Sequence, residues 1–222
     1  MSMNSPLDGA ALDHGASMDR IYGVQRHFYD VTRAYYLLGR DPMLDGLKVP
    51  QNGSVLEVGC GTGRNLAGVA RRFATARLFG FDISKEMLAS AETSMARAGL
   101  SAKLALADAS DFNAMKLFGE AQFDRVFFSY TLSMIPDWRA ALALGLKALK
   151  PGGSLHVADF GDCAGLPAAF KSALYAWLGK FHVTPRQALA AELYAMAEAA
   201  GGRVEISTPY RGYAIVAKVK CA

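Results

Sequence analysis

The 222-residue sequence predicts a doubly wound α/β domain: a mostly parallel sheet with helices on both faces, a last strand running antiparallel, and an extra helix at the N-terminus. Three observations predict it. Between residues 54 and 160, apolar strand-like runs alternate with helical segments, the sequence form of parallel strands joined by crossover helices. The first of those strands runs into a glycine-rich turn, VLEVGCGTGRN over residues 55–65, and a helix starts just after it. The last two strands are separated only by a tight turn, which makes them antiparallel. Apolar residues make up 52% and charged residues 20% of the chain, so it buries one sizeable core rather than staying disordered.

Each element has its own signal. Residues 19–48 read as the extra helix, because Ile21, Val24, Phe28, Val31, Tyr35 and Leu38 recur at steps of three and four. Residues 50–53 read as a turn. Strands are expected over 54–58 (SVLEV), 77–82 (RLFGFD), 103–108 (KLALAD), 123–129 (FDRVFFS) and 153–160 (GSLHVADF). Helices are expected over 64–73, 84–98 and 138–149, the last followed by a turn at Lys150, Pro151, Gly152 and Gly153. A helical stretch follows over 166–200, with a break near Thr184 and Pro185. The closing strands cover 203–208 and 213–219, joined by Tyr210, Arg211 and Gly212. Residues 1–18 are small and polar and read as a flexible tail, which leaves one domain over 19–222.

Bulk properties narrow the function. A formal net charge of +4 suits an anionic partner, but no run of lysine and arginine resembles a nucleic-acid-binding tail. Cys60, Cys163 and Cys221 are odd in number and widely spaced, with neither a metal-binding spacing nor a disulfide framework. That pattern suits a reducing cytoplasm. No signal-peptide order is visible, and no apolar run approaches the roughly 20 residues that span a bilayer. Membrane contact is therefore expected to be peripheral.

The glycine-rich turn carries the strongest chemical signal. Gly59, Gly61 and Gly63 are spaced G-x-G-x-G, which differs from the G-x-G-x-x-G of dinucleotide binders and disfavours a nicotinamide oxidoreductase. The turn also lacks the lysine of a phosphate-binding loop. The helix N-terminus behind it suits the carboxylate of a methionine tail. Asp82 ends the second strand, 19 residues after Gly63, where an acid can accept both ribose hydroxyls, or merely cap the next helix. Asp108 ends the third strand and can accept from an adenine amino group, with the same alternative. Ile83 and Ala109 follow these acids, and Ser129 ends the fourth strand at the same sheet edge. Glu57 lies inside an apolar strand, where a carboxylate is costly without a partner. Asn65 either starts the helix or touches the cofactor, and Cys60 reads as a small loop filler.

From residue 54 to about 160 the pattern resembles the class I methyltransferase family, whose fold is Rossmann-like. The resemblance implies S-adenosylmethionine as cofactor, S-adenosylhomocysteine as product, and a seven-stranded sheet. It assigns cofactor binding to Glu57, Gly59, Gly61, Gly63, Asp82 and Asp108.

The acceptor side is less marked, because methyl transfer mainly needs a positioned nucleophile and excluded water. Tyr22, Arg26, Tyr29, Arg33, Tyr36 and Arg40 recur on a second face of the first helix. That face is either solvated, with its tyrosines on the core, or a wall over the cofactor. As a wall, Arg33 and Arg40 would clamp an anionic group of the substrate and the phenols would attract a methylated ammonium. An alkylammonium has no lone pair, so the acceptor amine must react neutral, its proton leaving through water or through Tyr29 or Tyr36. Tyr130, after the fourth strand, and Tyr210 and Arg211, after the sixth, are candidate acceptor contacts, though either tyrosine fits a core edge equally. Phe170, Leu174, Trp177, Leu178 and Phe181 form an apolar stripe near Lys171 and Lys180, as core or dimer packing or as an interfacial membrane helix.

A closer resemblance rests on QRHFYDVTRAYYLLGRD, VLEVGCGTGRN, FSYTLSMIPDW and FHVTPR. Together these look like the bacterial N-methyltransferases of betaine-lipid synthesis. Residues 1–18 and 161–181 lend it no support. The resemblance implies successive methylation of the primary amine of diacylglycerylhomoserine, without a metal, at the inner face of the cytoplasmic membrane. The implied partners are an anionic membrane surface, a second copy of the chain, or the enzyme that supplies the lipid. The competing expectations are a phosphatidylethanolamine N-methyltransferase, a small-molecule or quinone methyltransferase, and a cofactor-binding regulator without turnover.

Overall fold

The computed structural model describes residues 37–221. Seven strands form one sheet: β1 (Ser54–Val58), β2 (Arg77–Asp82), β3 (Lys103–Leu106), β4 (Phe123–Ser129), β5 (Leu149–Phe160), β6 (Arg203–Ser207) and β7 (Ala214–Lys220). Their order is β3-β2-β1-β4-β5-β7-β6. The first five pair in parallel, and β7 runs antiparallel to both β5 and β6. β1 is buried along its whole length, as the central strand of a sheet covered on both faces must be. The edge strands β3 and β6 are short and carry exposed Lys103, Arg203 and Glu205, a protection against edge-to-edge pairing.

Helices α1 (Arg40–Gly46), α2 (Arg64–Arg72), α3 (Lys85–Arg97), α4 (Ala114–Phe118), α5 (Trp138–Lys147), α6 (Ala168–Gly179) and α7 (Leu189–Ala199) cover the sheet. One apolar layer gathers Phe79, Phe81, Phe118, Phe123, Leu142, Leu189 and Leu193 from the strands and from α4, α5 and α7. The opposite layer gathers Met43, Leu44, Leu66, Val69, Leu88, Phe127 and Tyr130, with contributions from α1, α2 and α3. α1 lies close on α2 because Gly68 has no side chain: a Cβ there would stand 3.1 Å from Leu44 Cδ1.

Several sequence expectations need correction. The helix expected over 19–48 does not run through its described part. Leu38 and Gly39 form a turn, Gly39 adopts φ +88°, and α1 starts only at Arg40. A Cβ at Gly39 would also meet Val216 Cγ2 at 2.9 Å, so the bend seats this segment against β7. Residues 150–153, expected as a turn, belong to a long β5 that bulges between the pairings Phe123–Leu149 and Arg125–Ser154. There Lys150 Nζ reaches Asp124 Oδ2 at 2.8 Å, and the same oxygen accepts from Ser54 N at 2.8 Å, which ties the starts of β1, β4 and β5. β3 ends at Leu106, so Ala107 and Asp108 leave the ladder. α4 has no counterpart in the sequence reading; Asn113 caps it, accepting from Lys116 N. The stretch expected as helical over 166–200 with a break near Thr184 and Pro185 is, as expected, two helices, separated by residues 180–188.

Candidate functional site

The glycine loop leaves β1 at the carboxyl edge of the sheet. Gly59 N and Cys60 N both donate to Phe81 O, at 3.0 and 2.9 Å, which docks the loop on the end of β2. Gly59 must be glycine on two counts. Its φ is +72°, and a Cβ would sit 2.6 Å from Thr131 Cγ2. Gly61 N donates to Asp82 Oδ2 at 2.8 Å, while Asp82 Oδ1 accepts from Ser84 N at 3.0 Å. The carboxylate thus fixes both the loop and the start of α3, where the cap itself is Ser84, accepting from Met87 N. Glu57 is fully buried and its Oε1 accepts from Asn65 Nδ2 at 2.7 Å, so strand and helix are joined behind the loop.

A cleft open to solvent lies over this loop. Gly59, Gly61, Asn65 and Ser129 line it, as do Cys60, Thr62, Arg64, Thr131, Leu37 and Arg40. The first turn of α2 has no side-chain cap, so its backbone donors suit a carboxylate. Ser129 Oγ is buried without a hydrogen-bond partner among the described residues. The Arg40 side chain is 13% exposed and grips the Asp41 carboxylate, with Nη2 3.1 Å from each oxygen. Cys60 is buried, and that burial, with Glu57 and Asp82 nearby, pushes its thiol well above the ordinary range.

The other candidates are placed as follows. Gly63 caps α2 against Ala91 of α3. Asp108 is half-buried and its Oδ1 accepts from Ser110 N at 2.8 Å and Ser110 Oγ at 2.7 Å; it and Ala109 stand two strands away from β1. Ile83 is half-buried beside Asp82. Tyr130 is a core tyrosine rather than an exposed contact. It is 1% exposed, stacks edge-on to Phe160, and its hydroxyl donates to Leu38 O. Its φ of +57° is strained for a non-glycine residue, and the tie it makes holds the segment carrying Leu37 and Arg40. Tyr130→Phe should cost about 1 kcal/mol of stability, read from urea unfolding, because Leu38 O loses its donor. Tyr210 and Arg211 form an exposed left-handed turn with φ of 57° and 59°, and neither lines the cleft. Tyr29, Arg33 and Tyr36 lie outside the described residues. His156 is buried, its Nε2 2.8 Å from Ser154 Oγ, and burial lowers it to about 3.

Sequence reasoning passed over Leu37, Thr62, Arg64 and Thr131 as wall residues. It also passed over Asp159, one of the most deeply buried acids in the domain. Asp159 Oδ2 accepts from Ser133 N at 3.0 Å and Oδ1 from Phe160 N at 2.8 Å, on the turn that follows β4. Arg186 holds the same turn, donating to Leu132 O at 3.0 Å and Ile135 O at 2.7 Å. The signal was present: an acid within the apolar strand HVADF, like Glu57 within VLEV.

Residues 55–153 match the family profile described as a methyltransferase domain. The ubiquinone/menaquinone biosynthesis C-methyltransferase of Desulfotalea psychrophila is 29% identical over 148 residues, 64% of this chain and 57% of that protein. The trans-aconitate 2-methyltransferase of Variovorax paradoxus is 31% identical over 124 residues, 56% of this chain and 42% of that protein. The chain thus spans about half the length of these curated relatives. In fold, it resembles the plantazolicin methyltransferase BpumL, solved with S-adenosylhomocysteine, at a TM-score of 0.68 and 12% identity over 96% of this chain and 98% of that one. Residues 55–153 are thus similar to methyltransferase domains, whose cofactor is S-adenosylmethionine, and the chain shares the fold of solved methyltransferases. When bound, that cofactor supplies an electrophilic methyl group on a sulfonium. The uncapped start of α2, the Asp82 carboxylate and the buried Ser129 hydroxyl are chemically suited to hold it.

Proposed function

We propose that the chain is an S-adenosylmethionine-dependent N-methyltransferase that methylates the primary amine of diacylglycerylhomoserine in successive steps, to the trimethylated betaine lipid. The observation that carries it is Arg40, a guanidinium set in the wall of the cleft beside the glycine loop. A homoserine headgroup presents a carboxylate next to its amine, and a guanidinium clamps a carboxylate with two parallel hydrogen bonds. The likeness of the chain to betaine-lipid N-methyltransferases points the same way. In this reading the loop residues, Asp82 and Asp108 hold the cofactor, and Arg40 holds the acceptor carboxylate away from the methyl.

The test is incubation with labelled S-adenosylmethionine and either detergent micelles of diacylglycerylhomoserine, phosphatidylethanolamine or a quinone, or dissolved trans-aconitate. Label appearing as one, two and then three methyl groups on the homoserine lipid is expected. Label on the quinone or on trans-aconitate alone would overturn the reading. Because only the neutral amine is nucleophilic, the first methylation should quicken as pH rises toward the amine's pKa.

Arg40→Ala should raise the acceptor KM about tenfold, which corresponds to about 1.4 kcal/mol, the lower side of a charged hydrogen bond because Asp41 already shares the guanidinium. Cofactor affinity by calorimetry should stay within a factor of about two. Equal losses of both would move Arg40 to the methionine carboxylate. Trans-aconitate is a second reading that the cationic wall itself favours, since Arg40 and Arg64 both face the cleft.

A further inference from the structure

The chain between β5 and α7 is built unlike a core element. Residues 163–191 contain three cations, Lys171, Lys180 and Arg186, and no aspartate or glutamate. Within that stretch α6 is rich in apolar residues, yet Leu178 is the one of its residues that is fully buried. Leu174 and Tyr175 are half-buried against the sheet, and Tyr175 donates to Gly161 O at 3.2 Å, so α6 is anchored along one side. Its other side carries Phe170, Ala173 and Trp177 at helical spacing, with Phe170 47% and Trp177 37% exposed. The stripe ends on exposed Lys180, and Lys171 Nζ stands 5.5 Å over the Tyr175 ring.

The turn after β6 adjoins this segment. Gly165 N donates to Arg211 O at 3.0 Å, and Cys163 N to Gly212 O at 2.8 Å. That places exposed Tyr210 and Arg211 beside the start of α6. The rim of the carboxyl edge therefore presents Phe170, Trp177 and Tyr210 interleaved with Lys171, Lys180 and Arg211. Aromatic rings with a polar tip suit the boundary between headgroups and acyl chains, and lysine and arginine reach from it to lipid phosphates. Exposed Asp162 lies beside Gly212, but Lys171, Lys180 and Arg211 outnumber it, and a net positive rim is complementary to a negatively charged surface.

We propose that the α6 rim docks this protein on a bilayer containing anionic phospholipid, at the sheet edge that also holds the cofactor cleft. The surface deepens the lipid-methylating reading and gives its acceptor a route from the membrane. It is nonetheless a property of α6 rather than of the cleft, and it can be tested without methyl transfer. The chain has two tryptophans, Trp138 and Trp177. Trp138 is 5% exposed beneath the Arg139 guanidinium, so a change in emission on vesicles reports Trp177.

The full chain is mixed with vesicles of equimolar phosphatidylcholine and phosphatidylglycerol, which contain no amine to methylate. A blue shift of emission and co-sedimentation are expected, both weaker on pure phosphatidylcholine and in high salt. Trp177→Phe should abolish the shift yet still sediment. Trp177→Glu should sediment about tenfold less, about 1.4 kcal/mol, while its circular dichroism and cofactor affinity stay those of the parent. Sedimentation unchanged by Trp177→Glu or indifferent to anionic lipid would overturn the proposal. So would light scattering that shows a dimer broken by the same variant, which would make the rim a subunit contact. A chain that docks but leaves the homoserine lipid unmethylated would instead count against the substrate alone.

Discussion

Replacing Asp82 by alanine is expected to weaken S-adenosylmethionine binding roughly ten- to a hundredfold, the loss of hydrogen bonds to a charged acceptor at about 1.5–3 kcal/mol. Two effects combine. On the proposed assignment the carboxylate accepts the ribose hydroxyls. It also accepts from Gly61 N and Ser84 N, so its removal frees the loop as well as deleting a ligand contact. Asp82→Asn should fall between the two, because one amide oxygen still accepts while the amide nitrogen faces a second donor. Calorimetry of both variants separates these contributions, and an unchanged affinity in Asp82→Ala would remove the assignment.

The second large effect concerns stability against pH. Asp159 is buried, and burial pushes its carboxyl from 3.8 up to about 6, against the pull of the Phe160 and Ser133 backbone donors and of Arg186. The folded chain therefore holds this proton more tightly than the unfolded one. Folding takes up a proton between about pH 4 and 6, so the contribution of Asp159 is present below pH 4 and is lost as pH rises through 6, about 3 kcal/mol across the window. Asp159→Asn cannot titrate. Urea midpoints of parent and variant should diverge across that window, the parent losing ground relative to the variant as pH rises. The comparison cancels the surface carboxylates, of which Asp41 and Glu120 are shifted downward by their arginine partners and act in the opposite sense. Parallel curves from pH 4 to 7 would mean that Asp159 is solvated or paired throughout.

Much of this was legible in the order of residues. β1, β2 and β4 fall where apolar runs begin and end, since strands covered on both faces are apolar along most of their length. The acids at strand ends were legible because a doubly wound sheet presents its ligands there. What escaped depends on long-range contacts. The bulge in β5 reads locally as a Pro–Gly turn and joins the ladder only because Lys150 meets Asp124 of β4. The break at Gly39 is set by the side chain of Val216 on the last strand. α4, five residues long, is too short for any periodicity to register. Tyr130 looked like a contact residue because it ends a strand; its burial follows from a hydroxyl partner 92 residues away in sequence.

Cys60 gives the glycine loop a further chemical property. A sulfonium methyl donor is an alkylating agent, and a thiolate next to it would compete with any acceptor for the methyl group. The loop keeps its sulfur as the protonated thiol, by burial and by the negative charges of Glu57 and Asp82, so the best protein nucleophile on the cleft wall is silenced. The carboxylate that in the proposed site grips the ribose thus also joins burial and Glu57 in keeping this sulfur protonated.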